Sequence, residues 1–241
     1  AAALPAPRHI FALTTMANVP ATGSQIAFTI PSGANKRVLV RAVVSPLPAL
    51  GISSGAMADP QLVLKNAGGT TLATNDTWSL AANATEVQTV TTAVQAAALT
   101  SGSTDAVILA ELAPGAYTVD VKGAGGGSGK VLVELYAADN AGTTTFSSVA
   151  YQGTTGGTGA AQTVGFVLGG SETNDVLVRA IGPSLTSGGL ADPRLALFYG
   201  TTQIAANDNW DGLRASSSAF AQAGALDFAA GSKDSAILLR L

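Results

Sequence analysis

The sequence predicts an all-β protein made of two tandem antiparallel β-sandwich domains. They are jelly-roll-like, each carries one short helix, and the second lacks its last two strands. Three observations predict this. Short β-rich runs bounded by Gly, Pro, Asn and Ser recur along the chain, the pattern of a sandwich or barrel. The chain is an internal repeat. The second copy stops two strands before the first one does.

The repeat is read in matched blocks. Arg37-Val38-Leu39-Val40-Arg41-Ala42-Val43 recurs as Asp175-Val176-Leu177-Val178-Arg179-Ala180-Ile181. In the same register, Ile26-Ala27-Phe28-Thr29-Ile30 matches Val164-Gly165-Phe166-Val167-Leu168. Ser45-Pro46-Leu47 reappears slightly shifted within Gly182-Pro183-Ser184-Leu185. Ala58-Asp59-Pro60 answers to Ala191-Asp192-Pro193, and Asn75-Asp76-Thr77-Trp78 to Asn207-Asp208-Asn209-Trp210. Asp105 to Leu112 pairs with Asp234 to Leu241. The blocks keep one order in both copies, so the domains are expected at 10–141 and 142–241, after an N-terminal arm at 1–9.

The elements of the first copy follow in order. Strands are expected near Ile10–Met16, Ser24–Ile30, Arg37–Val44, Gln61–Lys65 and Thr71–Asn75, then Ala106–Leu112, Ala116–Lys122 and Lys130–Tyr136. The alternation in Tyr117-Thr118-Val119-Asp120-Val121 marks one buried and one wet face. Gly123 to Gly129 is a hairpin loop joining the last two strands. One helix interrupts the series. Asn83 with Glu86 three residues on is a capping-box-like start, and Val87, Val90 and Val94 fall at helical spacing, with Gly102 beyond the end as a stop. The second copy has a shorter helix around Ser216–Ala223, anchored by Phe220. Both helices are expected to plug an open end of their sandwich, and the second copy's first strand is expected within Thr145–Tyr151.

Composition narrows the function classes. Hydrophobic residues make up 47% of the 241 and charged residues 11%, against roughly 25% charged in an average soluble domain. Ala, Gly, Thr and Ser replace the charges, which suits a surface covered by neighbours or exposed outside the cell. No run approaches the roughly 18 apolar residues of a spanning helix. A net charge of −3 leaves no basic stripe for phosphates, so nucleic acid is excluded as a partner. Cysteine is absent, which removes disulfides and thiolate chemistry. The start Ala1-Ala2-Ala3 reads as a mature N-terminus left by a signal peptidase, hence export to the cell surface or beyond.

The truncation of copy two carries the functional expectation. A sandwich short of strands exposes apolar core and a row of unpaired backbone groups. The terminal strand Ala236-Ile237-Leu238-Leu239-Arg240-Leu241 is therefore expected to be the acceptor, with Ile237, Leu238, Leu239 and Leu241 as its apolar residues. Three outcomes satisfy it: strands donated by another molecule, as pilus subunits do, closure with fewer strands, or a longer protein. As donor the natural candidate is the N-terminal segment, whose Leu4–Pro7 reads as an extended arm and whose Ile10, Phe11 and Leu13 supply apolar bulk. The alternative is that Ile10–Met16 is the first strand of its own domain. Head-to-tail donation is heterologous and builds an open filament unless it closes into a ring.

The blocks Val178-Arg179-Ala180-Ile181-Gly182-Pro183-Ser184-Leu185, Ala191-Asp192-Pro193, Asn207-Asp208-Asn209-Trp210 and Ala113-Pro114-Gly115-Ala116-Tyr117-Thr118-Val119 carry a resemblance. The chain resembles a β-sandwich repeat of large secreted and surface proteins of environmental bacteria, notably the Verrucomicrobia. More loosely, the later half of each copy is similar to the bacterial pre-peptidase C-terminal domain. Both resemblances imply a non-catalytic extracellular module.

Candidate chemistry is sparse. Gly51-Ile52-Ser53-Ser54-Gly55 spells the hydrolase elbow, which needs a strand-to-helix turn, a histidine base and an oxyanion hole. The single histidine is His9. The Gly-rich stretch Gly123–Gly129 has no following Lys-Ser or Lys-Thr and opens a strand, so it is no phosphate loop. Asp59, Asp76 and Asp105, repeated as Asp192, Asp208 and Asp234, are read as turn-capping residues rather than the oxygen-rich shell calcium needs. Trp78 and Trp210 are read as core or interface anchors rather than sugar platforms. Arg41 and Arg179 are read as solvated or paired structural residues. Asn75 and Asn83 each begin a glycosylation sequon, weak evidence in a bacterial protein. No catalytic residue, metal or cofactor is assigned. The expectation is a non-enzymatic structural subunit of an extracellular filament or surface layer, a head-to-tail homopolymer by donor-strand complementation. The alternative is an adhesion module that recognises a surface polysaccharide.

Overall fold

Burial in the first copy has the period of two that a half-buried strand imposes. Ser24–Ile30 alternates buried and half-buried from end to end, and Gly115–Gly123 does the same with Tyr117, Val119 and Val121 inward. The computed structural model describes residues 9–139, 146–155, 161–170, 172–185, 187–210, 220–221, 223–225 and 227–241. The first copy forms β1 (His9–Val19), β2 (Ser24–Ile30), β3 (Lys36–Val43), β4 (Pro60–Asn66) and β5 (Thr71–Asn75), then α1 (Ala84–Ala93), β6 (Ala106–Leu112), β7 (Gly115–Gly123) and β8 (Gly129–Ala137). The second copy contributes β9 (Ser148–Gln152), β10 (Val164–Gly169), β11 (Asp175–Ala180), β12 (Leu195–Tyr199), β13 (Thr202–Asn207) and β14 (Ser235–Arg240). The all-β class holds. No helix among the described residues is long and apolar enough to cross a membrane.

The pairing within the first copy is that of a rolled-up hairpin. Strand β1 pairs with β8, β2 with β7, β3 with β6 and β4 with β5, all antiparallel. Rolling adds β3 against β8 and β4 against β7, so β7 and β8 fall in opposite sheets and the loop from Gly123 to Gly129 crosses between sheets instead of closing the hairpin expected there. This is the jelly-roll arrangement of two packed sheets. Its core holds Ile26, Phe28, Val38, Val40, Leu62, Leu64, Val119, Val121, Val133 and Leu135.

Each sheet then gains a fifth strand, and both come from the second copy. Strand β10 pairs with β1, and β9 pairs with β2. The sheet orders become β10-β1-β8-β3-β6 and β5-β4-β7-β2-β9. Phe146, just before β9, is buried edge-on against Phe28 at 5.5 Å, and Val149 and Tyr151 of β9 pack on the same core. The chain accordingly divides into two compact units, Ala1–Ser171 and Glu172–Leu241, and not at the repeat boundary expected near 141. The physical reason lies in the pairing. In a jelly roll, strands one and two pair with eight and seven, and counterparts of β7 and β8 do not occur in residues 142–241. Strands β9 and β10 find backbone partners instead on the open edges of β2 and β1.

The second unit keeps what remains. Strand β11 pairs with β14, and β12 with β13, as two two-stranded sheets. These repeat the pairs β3–β6 and β4–β5 of the first copy.

The helix differs from expectation in two ways. It does not plug an end of the sandwich. With Trp78, its Val87 and Val90 cover the outer face of a sheet, over Leu39 and Val107. Asn83 occupies the N-cap position but makes no side-chain cap, and Glu86 pairs with Arg37 instead. In the second unit Trp210, Phe220 and Phe228 pack together over Leu177 and Ala236, the counterparts of Leu39 and Val107. The helix expected at 216–223 and the arm expected at 1–9 fall mostly outside the described residues, and His9, the last residue of that arm, already begins β1.

Candidate functional site

The groups available for strand addition are set by which edges the repeat leaves bare. In the first unit β3 receives β8 in the register Val38↔Ala137, Leu39↔Tyr136, Val40↔Leu135, Arg41↔Glu134, Ala42↔Val133 and Val43↔Leu132. The matching residues of the second unit are Val176, Leu177, Val178, Arg179, Ala180 and Ile181, identical save for Ile181 in place of Val43. Strand β11 has β14 on one side and no sheet neighbour on the other among the described residues. Likewise β4 receives β7, with Leu62↔Val121 and Leu64↔Val119. Its counterpart β12, carrying Leu195 and Leu197, pairs with β13 alone.

Burial follows the missing neighbours. Val38, Val40, Leu62 and Leu64 are all buried in the first unit, whereas Val176, Val178, Leu195 and Leu197 are half-buried in the second. Phe198 is 53% exposed and Tyr199 82%. Apolar surface of this kind, alongside unpaired strand edges, is a template for another strand.

The expected acceptor residues sit one strand away from these edges. Ile237, Leu238 and Leu239 lie in β14, opposite Val178, Leu177 and Val176 of β11. Leu241 closes the pair by exchanging two 3.0 Å backbone bonds with Asn174. Strand β14 corresponds to β6, which is a sheet edge even in the complete first copy. Among the described residues, the bare core edges are those of β11 and β12. The repeat held the signal for this: once strands three and four are known to receive eight and seven, the edges follow.

The expected donor residues are built into the first unit. Ile10, Phe11 and Leu13 lie in β1, bonded to β8 on one side and β10 on the other. Leu13 is buried, and Ile10 and Phe11 pack on the core, with a register shift between Ile10 and Ala12. Donation by this segment requires β1 to leave the sheet it joins.

Two buried polar clusters organise the repeats. Asp105 accepts hydrogen bonds from the Val44 and Ser45 amides at 2.7 and 3.0 Å, from the Ser103 hydroxyl at 2.7 Å and from the Ser45 hydroxyl. Asp234 repeats this with the Gly182 and Ser184 amides and the Ser184 and Ser232 hydroxyls. Burial alone raises the Asp234 carboxyl, but those hydroxyls and amides outweigh it and hold it below the ordinary carboxylate value. Each aspartate thus pins the loop after strand three to the start of strand six. Gly182 is required there, since a Cβ would lie 2.1 Å from the Leu190 carbonyl oxygen.

The second cluster is an ion pair. Arg41 is fully buried, its Nε 3.4 Å from Glu134 Oε2 and its Nη2 donating to the Ala97 carbonyl at 2.7 Å. Tyr136 donates to Glu134 Oε1 at 2.7 Å. Burial, then the Glu134 charge, pushes the Tyr136 phenol well above its ordinary value, which keeps it a donor. In the second unit the Arg179 guanidinium lies over Phe220 and Phe228, 4.7 and 4.1 Å from the ring centres.

The remaining motifs resolve into structure. Gly51–Gly55 follows a 3-10 turn at Leu47–Leu50 and leads toward the bridge between Ala56 and Lys130, not from a strand into a helix. Trp78 and Trp210 are buried. Asp192 pairs with Lys233 at 2.6 Å and Asp208 with Arg194 at 3.3 Å. Among the described residues no three His, Cys, Asp or Glu side chains gather to hold a metal ion. Comparison with protein-family models, curated proteins and solved structures gives no match.

Proposed function

We propose that this chain is a structural module of an extracellular filament or surface assembly, joined to its neighbours by addition of strands to its second unit. One observation carries the reading: copies of the repeat already join by sharing strands. Strands β9 and β10 of the second copy complete both sheets of the first sandwich. The pairing is reciprocal, first strand to second and second to first, as in an isologous contact. Such a contact closes on itself. Propagation needs a different surface, and the edges of β11 and β12 provide one whose occupation by another chain is heterologous and builds an open array. The extracellular setting rests on composition, with charge scarce and Ala, Gly, Ser and Thr abundant. Membership of the Verrucomicrobia-type repeat belongs to the same proposal.

Negative-stain electron microscopy of the natively secreted material, paired with intact mass, tests this. Regular filaments or sheets containing this chain are expected. Monodisperse single chains at micromolar concentration contradict it.

A further inference from the structure

The first sandwich shows what a β11 edge and a β12 edge accept. Strand β8 lies on β3 with Ala137, Leu135 and Val133 turned to the core and Tyr136 and Glu134 on the opposite face. Strand β7 lies on β4 with Val119 and Val121 in the core. The two lie in opposite sheets and are joined by the short loop from Gly123 to Gly129, so both edges are filled by one pair of consecutive strands. The receiving residues recur in the second unit: Val176, Leu177, Val178, Arg179 and Ala180 on β11, Leu195 and Leu197 on β12.

We propose that the edges of β11 and β12, bare among the described residues, are the docking surface for one segment of two consecutive strands with the chemistry of β7–β8, one strand to each edge, donated by a second polypeptide. This rests on the strand-addition reading above and names the donor that reading requires. Edge strands bind an added strand through main-chain hydrogen bonds and select it through alternate side chains. Here the selection is legible. One donor strand places small and branched apolar residues over Val176, Val178 and Ala180, an aromatic beside Leu177, and a carboxylate opposite Arg179. The other places Val or a similar residue over Leu195 and Leu197. Arg179 keeps its ring contacts and the charges of Asp234 and Asp227 that already act on it, and meets the donor's carboxylate in addition, in the place where Glu134 meets Arg41 in the first unit. The end of the strand is altered, with Phe198 and Tyr199 where the first copy has Lys65 and Asn66. The Lys65–Asp120 ion pair therefore has no counterpart, and the natural donor is less acidic than β7 at that point.

The test is to titrate a synthetic peptide of residues 113–137 into the full chain and follow amide hydrogen exchange by mass spectrometry. Protection is expected to appear at 175–180 and 195–199. A peptide carrying Glu134→Lys, which sets like charges opposite each other at Arg179, is expected to bind about tenfold more weakly or worse. The same segment fused after Leu241 serves as the second arm. Protection only in the fusion overturns donation by a second polypeptide. No protection in either arm, or equal binding of the Glu134→Lys peptide, overturns the docking surface. Peptide binding without any filaments leaves this inference standing and removes the proposed function. Filaments that grow unhindered in saturating peptide do the reverse.

Discussion

Asp105 and Asp234 are the residues on which each copy of the repeat turns. Each carboxylate collects two backbone amides and two hydroxyls, and a hydrogen bond to a charged group contributes about 1.5–3 kcal/mol net. Asp105→Ala leaves several of these donors buried without an acceptor. It is expected to destabilise the first unit by about 2–4 kcal/mol, read from the urea midpoint. Asp234 also sets a pH dependence. Its folded carboxyl lies below the unfolded value of about 3.9. The stability it contributes is therefore present above that pH and is lost as pH falls through the folded value. The second unit is expected to weaken in acid below about pH 4. Asp234→Asn should flatten that dependence, as followed by Trp210 fluorescence in a Trp78→Phe background. The Arg41–Glu134 pair makes a different prediction. Glu134→Ala strands a fully buried guanidinium and is expected to cost about 3–5 kcal/mol, whereas Arg41→Met with Glu134→Leu should recover most of that loss in thermal melts. The sequence placed Asp105 and Asp234 as turn-capping residues, because Asp bonds nearby backbone in turns and no dense acidic loop accompanies them. Glu134 carried no such mark, since a lone acid in an apolar strand is identified only by what stands across from it.

At the scale of elements, the strands of the first copy were legible almost to the residue. Period-two alternation and Gly-bounded ends are local properties, and local properties are written in sequence. The helix was legible in span but not in position. Its valines announce a buried face, yet whether that face meets a sandwich end or the outside of a sheet depends on Leu39 and Val107, whose outward direction follows from register. The donor and acceptor segments show the same limit. Ile10, Phe11 and Leu13 look like free apolar bulk until β1 is seen bonded on both edges. Ile237 to Leu239 look like an open strand until β14 is recognised as a natural edge. Phe146 provides the sharpest element-level test. If the second copy's first strands belonged to a separate sandwich, removing this ring would leave the first unit untouched. Its contact with Phe28 instead predicts that Phe146→Ala lowers the stability of the first unit by about 3–5 kcal/mol.

At the scale of the molecule, the repeat in the sequence and the units in the structure are out of phase. Sequence self-similarity reports ancestry of the blocks, while compact units report where backbone groups find partners. A jelly roll pairs its ends, first strand with last, so residues 142–241, which hold no counterparts of β7 and β8, keep the middle pairs while their first two strands pair elsewhere. That is the partition seen, with β9 and β10 in the first unit and β11 to β14 in the second. Native-state hydrogen exchange on the intact chain tests it most directly. The account predicts that amides of 148–152 and 164–169 exchange with the same opening free energy as β1 and β2, distinct from that of 175–180 and 235–240. Exchange of 148–152 and 164–169 together with the second unit, and apart from β1 and β2, would contradict strand sharing between the repeats and the assembly mode built on it.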